Sequence, residues 1–298
     1  MNRILVTGAG GFLGGSFVRF FRAQGRAVTG FSRSDGNGCV DITGDILDED
    51  ALLRAMEGCD TVIHCAALTP YARIMADKPA AARVYLQGMR GLLACMEKTG
   101  ADALLFPSSG KVYGQKTPLP YREDAPLQPD VYMGALKAEC EGMMRAFADA
   151  HGGSRMIAAR IFNIYGPGQK TEFLIPKIIS RLEEKQMPMG PTGTRRDYVY
   201  IDDVLRAAAI LLQQCPRGFT AVNIGSGTSV SIEEIKNLLC EISGKEFTFL
   251  TDPGQIRREE PQQEYGCIEK ISALGWRPEI GLAEGLRRTL QAFRQSGA

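Results

Sequence analysis

A doubly wound parallel α/β sheet followed by a smaller C-terminal lobe is the fold class that this sequence predicts. Short apolar runs without helical period alternate with segments that have one from Ile4 to Phe162. The first run ends in glycines at three-residue spacing, Gly8, Gly11 and Gly14. Beyond Pro167 the alternation loosens. Together these describe a Rossmann-like sheet whose sites lie at the carboxyl ends of the strands.

Ile4-Leu5-Val6 reads as a buried strand, and Phe17, Val18, Phe20 and Phe21 mark one face of the helix after the glycines. In that order the first glycine makes a tight turn, the second admits a pyrophosphate close to backbone, and the third lets helix pack on strand. The helix start then presents free N–H groups to phosphate. Nucleotide binding is expected here.

Ala27 to Phe31 is a second strand, ending in Ser32, Arg33, Ser34 and Asp35. A carboxylate at this place holds a ribose 2′-hydroxyl, and an arginine accommodates a 2′-phosphate. Ser32-Arg33 therefore favours NADP over NAD, with Asp35 as the carboxylate if Arg33 is merely solvated. Asp45-Ile46 is expected to close a third strand, and Asp48 to cap the next helix. Thr61 to His64 is a fourth strand, after which the small residues Ala66 and Ala67 leave room for ligand. His64 reads as an ordinary strand-end histidine.

One long helix is expected over Ala80–Lys98, a strand over Ala103–Pro107, a helix from about Asp130 to Ala150, and a strand over Ala158–Phe162. Further elements are expected at Phe173–Leu182 (helix), Arg195–Tyr200 (strand), Asp202–Gln213 (helix), Val222–Gly225 (strand) and Ile232–Ile242 (helix). The cofactor domain is drawn at 1–167 plus about 197–225, and the substrate lobe at about 168–196 plus 226–298. A cleft between them is the natural substrate site.

Composition narrows the function. A net charge of +1 over 298 residues, with dispersed Lys and Arg, argues against nucleic acid. No apolar run is long enough to span a membrane, and the start of the chain does not read as a signal peptide, so a cytoplasmic protein is expected. Eight cysteines without a CxxC pair, and two histidines, predict free thiols and no metal.

The stretches TGAGGFLG, HCAA, SSGKVYG, RIFNIYGP, RRDYVYIDDV, NIGSG and LGWRP stand in this order between Asn2 and about Thr289. In that arrangement the chain resembles the extended short-chain dehydrogenases that act on nucleotide sugars. The resemblance implies NAD(P)-dependent chemistry on a nucleoside-diphosphate sugar, and a homodimer formed by the two helices at 80–98 and 130–150, with Leu93, Met143 and Met144 as candidates for the seam. It implies that Gly8, Gly11, Phe12, Leu13 and Gly14 hold the pyrophosphate, that Asp45 and Ile46 frame the adenine, and that Lys137 grips the nicotinamide ribose. Ser109 corresponds to the hydroxyl that bonds the reacting sugar oxygen. Asn163 and Arg196 correspond to substrate contacts, and Arg257 or Arg258 to a second arginine near the diphosphate. For Arg196 the structural alternative is a salt bridge with Asp197 or Asp202, and for Asn163 a turn residue at the Gly166-Pro167 corner.

One departure bears on the chemistry. The family's tyrosine lies four residues before the lysine, and here that residue is Met133, which cannot exchange a proton. Tyr132, five before Lys137, falls about 140° away around the helix. Lys111, two residues after Ser109, is the best substitute, with a solvated loop lysine as the alternative; some inverting 4,6-dehydratases look similar but carry an Asp where this chain has Gly110. Tyr85 and Cys267 stand at further departures, in place of a usual asparagine and a usual acidic residue. The leading expectation is a 4-epimerase or 4-ketoreductase of a nucleoside-diphosphate hexose that favours NADP. The alternatives are a 4,6-dehydratase or C5 epimerase using Lys111, and a sugar-nucleotide-binding protein without catalysis.

Overall fold

The computed structural model describes residues 3–252, 254 and 261–295. Seven parallel strands form the central sheet: β1 (Arg3–Thr7), β2 (Ala27–Ser32), β3 (Ile42–Thr43), β4 (Thr61–His64), β5 (Ala103–Ser109), β6 (Arg155–Ile161) and β11 (Gly218–Ile224). Their order is β11-β6-β5-β4-β1-β2-β3. The order reverses direction between β1 and β4, and the carboxyl ends there form the crevice in which such sheets bind ligands. β4 is buried along its whole length, as a strand covered on both faces must be.

The sheet separates two apolar layers. One holds α2 (Glu49–Met56), α5 (Gly88–Thr99) and α6 (Tyr132–Ala150), whose buried faces meet Leu5, Val62 and Leu104. The other holds α1 (Phe12–Ala23) and α8 (Ile201–Gln214), and runs on without a break to Ile178, Met187, Phe247 and Trp276 of the later segments. Buried Asp203 ties the two regions together: its carboxylate accepts N–H groups of Glu279 and Ile280 at 3.0 and 3.1 Å, and its carbonyl accepts Trp276 Nε1 at 3.0 Å. The aspartate of IDDV and the tryptophan of LGWRP are thus one joint.

Short strands build the rest. β7 (Asn163–Tyr165) pairs with β10 (Tyr198–Tyr200), and β8 (Gln186–Met189) with β13 (Thr248–Thr251). β9 (Arg195–Arg196) lies between β12 (Val230–Ser231) and β14 (Gln263–Glu264).

Several expectations are corrected. The third strand is Ile42–Thr43, not a strand closed by Asp45-Ile46, because the Asp45 carboxylate takes the Leu47 N–H at 3.0 Å and its carbonyl takes the Asp48 N–H at 3.0 Å, which makes a turn. Asp48 does cap α2, accepting the Ala51 N–H at 3.0 Å. The long helix is α4 (Lys78–Ala82), a π-helical turn over Arg83–Gln87, and α5. The widened turn carries Tyr85, which is buried and donates to the Leu68 carbonyl at 3.2 Å, while the Cys140 thiol donates to the Tyr85 carbonyl. The stretch expected as the strand Arg195–Tyr200 breaks into β9 and β10 at Asp197, whose carboxylate turns into the interior. Leu93 and Met144 lie within the chain's own core and offer nothing to a seam; Met143 is partly buried. All eight cysteines are free, and no described helix is long and apolar enough to cross a membrane.

Candidate active site

The glycine turn after β1 is built for close approach. Gly8 has φ +70°, and a Cβ there would lie 2.7 Å from the backbone of Cys65 and Ala66. The β1 and β4 ends are sewn together by Cys65 N–H to the Thr7 carbonyl at 3.0 Å and Ala66 N–H to Thr7 Oγ1 at 3.2 Å. Gly14 lets α1 reach the turn, since a Cβ there would meet the Gly8 carbonyl oxygen at 2.2 Å. Helix α1 begins at Phe12 with Gly11 as its cap residue and no side chain over its first N–H groups. An uncapped helix start at this crevice fits a cofactor's pyrophosphate.

At the end of β2, Arg33 is exposed, with its guanidinium 3.9 Å from the Asp45 carboxylate. Asp35 is used inside its own loop, accepting N–H groups of Asn37 at 3.3 Å and Cys39 at 3.2 Å, and the first of these holds its carboxyl below the usual range. Asn37, which the sequence did not single out, donates to the carbonyls of Ala9 at 3.0 Å and Gly11 at 3.3 Å. The alternative in which Asp35 serves the ribose thus meets a carboxylate that is already engaged. Ile46 is buried against Gly88.

Ser109 ends β5, and one 3₁₀ turn, Gly110–Val112, follows. Ser109 Oγ accepts the Lys111 N–H at 3.2 Å, which leaves its own proton to donate. A buried network fixes this turn from behind. Ser108 donates to Glu141 at 2.5 Å, Glu141 pairs with Arg160 at 2.7 Å, Arg160 donates to the Tyr113 hydroxyl at 2.9 Å, and Tyr113 donates to Asn223 at 2.7 Å.

Lys137 donates to the carbonyls of Pro107 at 2.7 Å and Ser108 at 3.2 Å. Burial pulls its pKa down to about 8. His64 lies on the same side, its Nδ1 2.8 Å from Thr7 Oγ1; burial first, and the Lys137 charge second, push its pKa down to about 4, so it is neutral at pH 7. His64 is thus a buried histidine at the end of β4, held by Thr7.

Met133 stands one helical turn before Lys137, partly buried against the apolar layer around α5 and α6. Tyr132 donates its hydroxyl to the Lys78 carbonyl at 3.3 Å, and the Lys78 ammonium lies 5.4 Å over its ring. The nearby phenol is therefore occupied on the outside of the helix. Gly134 presses α6 onto the turn after β5, since a Cβ there would lie 2.2 Å from the Lys111 carbonyl oxygen.

Lys111 is not a solvated loop lysine. Its Nζ lies 2.5 Å from Glu264 Oε2, and Arg196 Nε lies 3.0 Å from the same oxygen. Neither Asp197 nor Asp202 is the partner shown for Arg196. The Asp197 carboxylate turns inward to Ser226 N–H at 2.6 Å and Ser226 Oγ at 2.7 Å, with its pKa raised to about 6 by burial, and Asp202 lies 3.9 Å from Arg288. Asn163 is a strand residue rather than a turn residue, and its amide donates to the Asp197 carbonyl at 3.0 Å. Glu264 was missed in the sequence, where it follows Gln262-Gln263 in a polar run and carries no local signal. Arg257 and Arg258 lie outside the described residues.

The missing carboxylate at 110 has a steric counterpart. A Cβ at Gly110 would lie 2.6 Å from the Phe162 ring, and that ring is held on its far side by Gly266, where a Cβ would lie 2.4 Å away, and stacks on Tyr121 at 6.4 Å.

The model of the NAD-dependent epimerase/dehydratase family matches residues 4–225. The chain belongs to this family. It is 30% identical to the GDP-6-deoxy-D-mannose reductase of Pseudomonas aeruginosa over 97% of this chain and 96% of that one. The solved structure of RMD from Pseudomonas aeruginosa, complexed with NADPH, superposes with a TM-score of 0.88 at 28% identity, covering 99% of this chain and 100% of that one. The UDP-glucose 4-epimerase of Thermotoga maritima, solved with UDP-glucose, does so with a TM-score of 0.93 at 26% identity, covering 99% and 100%. Membership makes the crevice between β1 and β4 and the turn after Ser109 the place to look for this epimerase-family chain's chemistry.

Proposed function

We propose that this family member is an NADPH-dependent reductase of a 4-keto sugar carried on a nucleoside diphosphate, with Lys111 as its proton donor. The observation that carries the reading is the pairing of Lys111 with Glu264 beside Ser109, where Met133 offers no exchangeable proton. As the cation of that ion pair, Lys111 enters the reaction as an acid. Reduction of a ketone needs an acid first. Epimerisation and dehydration both begin by taking a proton from a hydroxyl, which an ion-paired ammonium cannot do. Phe162 against Gly110 further leaves no room for the second carboxylate that dehydration would use.

The uncapped start of α1, with Gly8, Gly11, Phe12, Leu13 and Gly14, holds the cofactor's pyrophosphate, Asp45 and Ile46 frame its adenine, Ala66 gives it room, and Arg33 meets the 2′-phosphate. Bound there, reduced nicotinamide supplies a hydride to the keto carbon. Ser109 donates a hydrogen bond to the keto oxygen, and Lys111 gives that oxygen a proton as the C=O bond becomes C–OH. The neutral amine then regains its proton from water. Lys137 holds the nicotinamide ribose, and Asn163, Arg196 and Arg257 or Arg258 hold the nucleoside-diphosphate sugar. The homodimer through α5 and α6 belongs to the same reading, with Met143 as the candidate that remains from its seam.

The test incubates the protein and NADPH with 4-keto-6-deoxyhexoses carried on UDP, GDP, CDP and dTDP, and with the parent hexoses in parallel. The expected result is loss of the 340 nm absorbance with one keto sugar and a product heavier by two hydrogens. Loss of water from a parent hexose, or its inversion at C4 with oxidised cofactor, would refute the reductase.

A further inference from the structure

Glu264 comes to the site on a short paired strand. It lies on β14, paired in register with Arg196 of β9, and the Asp197 N–H holds the Glu264 carbonyl at 3.0 Å. Its side chain is 7% exposed, and its Oε2 faces the ammonium of Lys111 as well as the guanidinium of Arg196. Lys111, by contrast, lies on a single 3₁₀ turn and carries a four-carbon stem with many rotamers. A fixed carboxylate facing a flexible ammonium chooses where the ammonium sits. Its negative charge faces the ammonium directly, at 2.5 Å.

The other charged or titratable groups around Lys111 do not take that place. Asp130, in the loop before α6, borders the same recess and accepts the Gln115 N–H. Lys137 of α6 is committed to the carbonyls of β5. Tyr121 is a buried phenol kept neutral first by desolvation and then by Glu264. Arg196 is a cation and would repel Lys111 without the carboxylate between them.

We propose that Glu264 is the positioning residue of the proton donor: it aims the Lys111 ammonium and keeps it charged, from a strand in the other part of the chain. This rests on the reading of Lys111 as the donor. The Lys111–Glu264 contact joins residues 153 apart in sequence, so the donor is complete only when β14 is seated beside the turn after β5.

Reductive methylation with ¹³C-formaldehyde gives each lysine an NMR resonance, and Lys111→Ala assigns that of Lys111 by its loss. In Glu264→Gln the Lys111 resonance should titrate lower than in the unsubstituted protein by about one pH unit or more. Glu264→Asp should fall between the two. In the reductase assay Glu264→Gln should lower kcat about tenfold, leave KM for NADPH within about twofold, and move the basic limb of the kcat/KM profile in the same direction as the titration. An unmoved Lys111 titration in Glu264→Gln overturns the proposal, and in Glu264→Asp it does so if the Gln variant does not fold. Loss of activity in Lys111→Ala with Glu264→Gln at full kcat also overturns it, while the donor reading stands. Full activity of Lys111→Ala overturns the donor reading, and the positioning role falls with it.

Discussion

Lys137 projects from a nineteen-residue helix, donates to two main-chain carbonyls of β5, and has its pKa pulled down to about 8 by burial. Lys111 projects from a single 3₁₀ turn at the end of the same strand and donates to a carboxylate. The first sits against two neutral carbonyls, and one turn before it Met133 stands in place of a group that could exchange a proton. The second faces a carboxylate that it shares with Arg196. The comparison teaches that two lysines at the end of one strand meet different partners, main-chain carbonyls for the helix lysine and a carboxylate for the loop lysine, and on the proposed reading the first anchors and the second donates the proton.

The largest expected effect breaks that division of labour. Lys111→Ala should lower reductase kcat by about 10²-fold or more, the usual worth of a positioned acid. Adding Met133→Tyr in that background places a phenol one turn before Lys137 on the same face, and should recover about tenfold of the loss. Stopped kinetics of the single and double variants check both. No recovery would mean that the Lys137 side of the site no longer supports proton transfer even when given a tyrosine.

A smaller effect sharpens the comparison at the cofactor end. Arg33 is exposed and 3.9 Å from Asp45, Asp35 is engaged by its own loop, and the proposed function gives the guanidinium to the 2′-phosphate. Arg33→Ala should weaken NADPH by about tenfold and leave NADH within about twofold, read by calorimetry. Equal losses for both cofactors would remove Arg33 from the 2′-phosphate.

Local features were the legible ones. The strand, glycine turn and helix at the start, the strand Thr61–His64 and the Asp48 cap all follow from patterns a few residues long. What escaped depends on contacts distant in sequence. Glu264 gains its meaning from a lysine 153 residues away, and Gly110 from the ring of Phe162. Leu93 and Met144 looked available to a partner on helical spacing alone, but the opposing side chains of α2 and α5 bury them. The π-helical turn at Arg83–Gln87 leaves no mark in a pattern that continues helical on both sides. Among the candidate residues, Ser109 and Lys137 were named from the family resemblance and Lys111 from its place two residues after Ser109, and all three lie around the end of β5.

The smallest effect concerns Lys137 alone and needs no substrate. Its folded-state pKa of about 8 lies below the ordinary lysine value, so between about pH 8 and 10.5 the unfolded chain binds more protons at this residue than the folded one. Stability contributed here therefore rises with pH through that window, and the cost of burying the charge is fully present below it. Lys137→Met removes the titrating group and keeps the stem. The melting temperature of the unsubstituted protein, measured relative to Lys137→Met, should rise by about 2 °C or more from pH 7.5 to 10.5, other groups cancelling in the difference. A flat difference would mean that the carbonyls of Pro107 and Ser108 compensate the ammonium as fully as water does, and Lys137 would then differ from Lys111 in its partners but not in its charge.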